Sequence, residues 1–150
     1  MKISEIIEMI LQYCLSYYTV IMIFVYILNL PQLVTNDKKG LIKEYYYDNF
    51  TKTIIFDFFL IILYLALSLF FIKLLGSDTL INNTIIVILT TILISGLFAL
   101  YFLNTPENET FFSRWFHSVN YLAIVYDVIL VTCVYLLLYF IKNKIHLVKN

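Results

Sequence analysis

Glycine is scarce in this sequence, three residues in 150, and that scarcity argues against the phosphate-cradling loops whose backbone must approach an anion closely. The two cysteines, Cys14 and Cys133, lie far apart inside apolar stretches and form no C-x-x-C. A disulfide framework or a thiolate metal site is therefore not expected. Charged residues make up only 13% of the chain, ten basic against ten acidic, for a net charge of zero. The basic footprint of a nucleic-acid-binding protein is missing. No serine-nucleophile motif and no His/Cys/Asp/Glu ligand spacing occurs, so the sequence offers no catalytic residue, no metal site and no cofactor.

What the chain does have is apolar length. Residues of the AVILMFWYC set make up 62% of it, and the mean hydropathy is +0.90. Four runs stand out, at 9–30, 53–75, 84–103 and 119–141, each near the ~20 residues that cross a ~30 Å hydrocarbon core. A soluble bundle would show polar faces repeating at 3.6 residues, and a barrel would alternate at period 2; these runs do neither. The first run is too long for a cleavable leader and has Glu5 and Glu8 where a basic region should stand, so it is expected to remain as an anchor. The fold class is all-α: one integral membrane domain over 1–150, a four-helix bundle with the lipid bilayer as its partner.

The halves of the chain resemble each other. Leu28-Asn29-Leu30-Pro31 closes the first run and Leu103-Asn104-Thr105-Pro106 the third, with Tyr26 and Tyr101 two residues before each leucine. An aromatic segment follows each proline, YYYDNF at 45–50 and FFSRWF at 111–116, and then IIFDFFL at 54–60 or IVYDVIL at 124–130. The pattern predicts two tandem hairpins in parallel pseudo-twofold repeat. Their loops, 31–52 and 104–118, lie opposite the termini, and the aromatic segments, Trp115 included, read as an interfacial belt. Proline ends a helix and disfavours helix just before it, and asparagine can answer the freed carbonyls.

Lys2, Lys73, Lys142, Lys144 and Lys149 on the terminal side balance Lys38, Lys39, Lys43, Lys52 and Arg114 on the other, so the positive-inside rule gives no direction. The sequons at Asn49 and Asn108 lie in the loops, and a third, Asn82-Asn83-Thr84, lies on the terminal side close to the bilayer; the loop pair points to cytoplasmic termini.

Asp57 precedes Lys73 by 16 residues and Asp127 precedes Lys142 by 15, placing both carboxylates about 23 Å from the basic helix ends. They share one depth with Asn29 and Asn104. Helical spacing aligns Thr53, Asp57, Tyr64 and Ser68 on one face, and His117, Asn120, Ala123 and Asp127 on another. The expected intramembrane polar cluster is therefore Asp57, Asp127, Asn29, Asn104, Tyr26, Tyr101 and His117, with Arg114 and Lys52 able to reach in from the interface. Such a pair can fasten helices, relay a proton or cation, or recognise a partner. An intramembrane aspartyl hydrolase is a remote fourth reading: Tyr126-Asp127 fits half of such a motif, but Asp57 lacks the flanking glycine. Thr91, Ser95 and Ala99, with Gly96 beside them, form a small-residue stripe suited to close helix contact.

At FFSRWFHSVNYLAIVYDVILVTCVYLLLYFIK, and less at DFFLIILYL, the chain resembles small multi-pass membrane proteins of giant nucleocytoplasmic DNA viruses of the mimivirus and phycodnavirus kind. The resemblance covers about a third of the chain and carries over no functional residue. It implies a place in a virus-modified host endomembrane or an internal virion membrane, where other membrane or capsid proteins would be partners. The residues themselves, with no catalytic motif, point to a non-enzymatic structural or assembly component, with a small proton or cation conduit as the alternative.

Overall fold

α1 (Ile3–Ile21) runs without a break into a π-helical turn (Met22–Ile27), where the Leu28 N–H reaches back five residues to the Ile23 carbonyl at 2.9 Å. Asn29 then takes a left-handed conformation (φ 47°), which asparagine tolerates, and turns the chain into α2 (Leu30–Thr35). After Gly40, also left-handed at φ 73°, α3 (Leu41–Lys43) widens into a second π-helical turn, Glu44–Asp48. α4 (Phe50–Leu75) and α5 (Leu80–Leu103) are joined by a tight turn. Gly76 supplies the positive φ (62°) that a helix C-terminus of this kind requires, and Thr79 Oγ1 caps α5 by accepting from the Asn82 N–H. α6 (Phe111–Val119) and α7 (Leu122–Lys149) complete the chain. This computed structural model describes residues 3–149, with side chains to 144. Lys2 and the Lys149 side chain lie outside the described residues.

Among the described residues four helices are long and apolar enough to cross a membrane: Ile3–Ile27, Phe50–Leu75, Leu80–Leu103 and Leu122–Lys144. No more than 39% of any of these windows is buried inside the protein, so each helix turns most of its apolar surface outward. Phe59, Leu74, Leu89 and Leu97 are all at least 60% exposed. Contiguous apolar surface on that scale is a liability in water and the normal condition in hydrocarbon, which makes this a multi-pass membrane helix bundle.

Around the bundle α1 packs on α7, α7 on α5, and α5 on α4. The ring closes between α4 and α1 through tyrosines. Tyr13 donates to the Phe58 carbonyl at 2.6 Å and Tyr17 to the Ile54 carbonyl at 2.8 Å, with the Tyr13 and Phe58 rings edge to face at 4.9 Å. The two hairpins thus share their order of elements but not their packing. α5 and α7 pack extensively against each other, with Thr91, Ser95 and Ala99 buried on α5, whereas α1 and α4 meet through Tyr13, Tyr17 and Phe58. The loops also differ, two short helices in the first and one amphipathic helix in the second. They meet as a cap over one end of the bundle, joined by Lys39–Glu107 at 3.0 Å and by Arg114–Glu44.

Several boundaries depart from the hydropathy reading. The first helical run spans Ile3–Ile27 rather than 9–30, and α4 begins at Phe50 rather than Thr53. α5 begins at Leu80 rather than Thr84 because Thr79 caps it. Residues 31–52 and 104–118, expected as loops, contain α2, α3 and most of α6. The fourth run breaks at Asn120 (φ 55°, ψ −137°), so α7 starts at Leu122 and α6 is a separate helix.

Candidate functional site

Asp57 lies on the inward face of α4, where the predicted stripe of Thr53, Asp57, Tyr64 and Ser68 is buried throughout. Its Oδ1 accepts a 2.6 Å hydrogen bond from the Tyr45 hydroxyl. Tyr45 arrives from the π-helical turn of the first loop, anchored by the Thr53 hydroxyl donating to its carbonyl at 2.7 Å and by Phe111 of α6 stacked on its ring at 4.2 Å. Tyr46, the next residue, shares a 2.8 Å hydrogen bond with the Tyr126 hydroxyl on α7. The wider π turn directs both adjacent rings inward, consistent with the frequent placement of π turns at functional sites. Asp127, one residue beyond Tyr126, accepts from the Ser95 hydroxyl of α5 at 2.6 Å through Oδ2.

These groups surround an internal cavity of about 50 Å³. Asp57, Asp127, Tyr45, Tyr46, Tyr64 and Tyr126 supply its polar wall, and Phe111 and Trp115 of α6 form part of its apolar wall. The volume is enough for a few waters. Among the described residues no lysine, arginine or histidine lines it. Burial, together with the Asp57 carboxylate, pushes the Tyr45 phenol well above its ordinary pKa, so Tyr45 remains an O–H donor.

The structure thus brings together Asp57 and Asp127, but answers them with hydroxyls rather than with the residues expected from sequence. Asn29 is exposed and makes no side-chain cap. Asn104 is exposed and donates to the Leu100 carbonyl of its own helix at 2.7 Å. Tyr101 is 64% exposed. His117 bonds the Ser113 carbonyl one turn back through Nδ1, and the break at Asn120 takes it off the face that carries Asp127. Tyr26 reaches the cluster only through the backbone, donating to the Tyr46 carbonyl at 2.8 Å. Lys52 is exposed. Trp115, expected in the lipid-facing belt, is 8% exposed and turned to the cavity. Thr91, Ser95 and Ala99 are fully buried on α5, while Gly96 is only partly buried, and a Cβ added there would meet nothing within 4 Å. Tyr45, Tyr46 and Tyr126 are the cluster members that spacing did not single out. Three consecutive tyrosines at 45–47 were the available signal.

Arg114 pairs with Glu44 rather than with an aspartate. Its Nη1 donates to Oε2 at 2.8 Å and its Nη2 to Oε1. This forked pair fastens α6 to the residue preceding Tyr45, and so holds the cap over the cavity. The hydrogen bonds from Arg114 lower the Glu44 pKa below its ordinary 4.5. Because the folded-state value is the lower one, the stabilisation is complete above 4.5 and is lost as pH falls through the folded value. The expected result is a thermal-midpoint gap between wild type and Arg114→Gln in detergent that is constant at neutral pH and narrows as the pH falls below the ordinary glutamate value of 4.5. A gap independent of pH would assign Arg114 a packing role instead.

No protein-family model matches the chain, and no curated protein or solved structure is significantly similar to it.

Proposed function

We propose that this protein is a non-enzymatic structural or assembly component of a membrane, and that its buried aspartates act as fasteners. The observation that carries the reading is the origin of each donor. Asp57 on α4 takes its hydrogen bond from the first loop, Asp127 on α7 takes its bond from α5, and Tyr46 of the loop bonds Tyr126 of α7. One polar cluster thus ties three crossing helices to the cap, in a solvent where helices gain no hydrophobic attraction for one another. The likeness to giant-virus membrane proteins extends the proposal to a virus-modified host endomembrane or an internal virion membrane, with other membrane or capsid proteins as partners. The termini are read as cytoplasmic, since the sequon residues Asn49 and Asn108 are exposed on the opposite side.

A second reading, a small proton or cation conduit, is favoured by the cavity that both carboxylates line. Flux in reconstituted liposomes separates the two. As a fastener, the wild-type protein gives no pH-driven or cation-driven flux above empty vesicles. Flux that disappears in Asp57→Asn or Asp127→Asn, with the fold intact, would replace the structural reading with the conduit.

A further inference from the structure

The outer face of α4 carries two grooves that meet at Lys52 and Phe56. The first, about 390 Å³, lies at the level of the cap, and its charged wall is Glu44, Lys52 and Arg114. The second, about 600 Å³, continues along the helix past Ile55, Phe59 and Leu63. Lys52, Ile55, Phe56, Phe59 and Leu63 fall at 0, +3, +4, +7 and +11, one face of a helix. Eleven residues rise about 16 Å, which is one leaflet of a ~30 Å core. All four apolar residues are exposed, between 46% and 64%. The groove therefore begins at a cation at headgroup depth and ends near the bilayer midplane.

Charge selects the occupant. Arg114 and Glu44 are paired with each other, and their charges cancel. Lys52 makes no ion pair among the described residues, which leaves one positive charge on the wall. We propose that the groove binds one anionic phospholipid, its phosphodiester on Lys52 and an acyl chain along Ile55, Phe59 and Leu63. A zwitterionic lipid brings its own cation to the same place and gains less. The site is separate from the aspartate cavity, and it rests only on the membrane-spanning reading of α4.

Native mass spectrometry of the full chain in nonionic detergent, titrated separately with phosphatidylglycerol and phosphatidylcholine of identical acyl chains, tests this. Wild type should retain its first phosphatidylglycerol roughly fivefold more tightly than phosphatidylcholine, the expectation for one basic side chain near an anionic headgroup. Lys52→Gln should remove that preference, and Lys38→Gln, an exposed lysine on the same loop side, should keep it. Phe59→Ala should weaken both lipids alike, because it alters the acyl groove and not the charge. Equal retention of the two lipids by wild type, an unchanged preference in Lys52→Gln, or a lipid-free dimer seated on this face would overturn the proposal.

Discussion

Replacing Asp57 by alanine should lower the unfolding free energy of the bundle by about 2 kcal/mol, whereas Asp57→Asn should cost less than about 1 kcal/mol. The asymmetry follows from what each change leaves behind. Asp57 is 6% exposed and Tyr45 donates to it at 2.6 Å. Alanine strands the Tyr45 hydroxyl in a buried site and enlarges the cavity, while the asparagine carbonyl still accepts the same bond. Hydrogen bonds between membrane helices average only about 0.6 kcal/mol in double-mutant cycles, since the unfolded chain also finds partners in the bilayer. Most of the alanine penalty therefore comes from the orphaned hydroxyl and the void. Tyr45→Phe probes the other side of the bond, and the double variant should cost less than the sum of the two single changes by at least about 0.5 kcal/mol. Reversible unfolding in mixed detergent–SDS micelles gives the numbers. If Asn and Ala prove equally destabilising, acceptance of the Tyr45 bond is not what Asp57 contributes, and the fastener reading loses its main support.

The number of crossings was legible in the sequence because hydrocarbon imposes a length, and four runs meet it. The inward face of α4 was legible as well. A carboxylate, a threonine, a tyrosine and a serine at helical spacing can share one side of an apolar helix only if that side is sheltered, and Thr53, Asp57, Tyr64 and Ser68 are sheltered. The partners of the aspartates were not legible, for two physical reasons. Tyrosine is amphipathic, so rings at the membrane boundary read equally well as lipid-facing belt or as inward donors. Tyr47 is 49% exposed while its neighbour Tyr46 is 4% exposed, and the π turn that separates their directions has no hydropathy signature. The second reason is the backbone at Asn120. Extending one helix through it put His117 on the face of Asp127, and a single positive φ removes that alignment. Arg114 was expected to seek the deep carboxylates, but Glu44 offers a forked pair without the cost of carrying a guanidinium into the hydrocarbon.

Introducing leucine at Ala99 should cost about 3 kcal/mol, the upper part of the range for overpacking a tight core. The Ser95–Asp127 hydrogen bond sets the antiparallel register of α5 against α7. Counting one turn along each helix from that bond puts Ala99 opposite Ala123, 0% and 1% exposed, and Thr91 opposite Val131, 0% and 1% exposed. At the Ala99–Ala123 level both side chains are single methyl groups, so added carbons can be accommodated only by separating the helices. Separation stretches the 2.6 Å Ser95–Asp127 bond and opens the aspartate cavity. Gly96, the next small residue on α5, behaves in the opposite sense. A Cβ there meets nothing within 4 Å and its φ is not in the left-handed region, so Gly96→Ala should stabilise the helix by up to about 1 kcal/mol. The two substitutions, three residues apart on one helix, should therefore move the unfolding midpoint in opposite directions. If Gly96→Ala destabilises and Ala99→Leu is tolerated, the α5–α7 register set by Ser95 and Asp127 is wrong, and the cluster built on it must be redrawn.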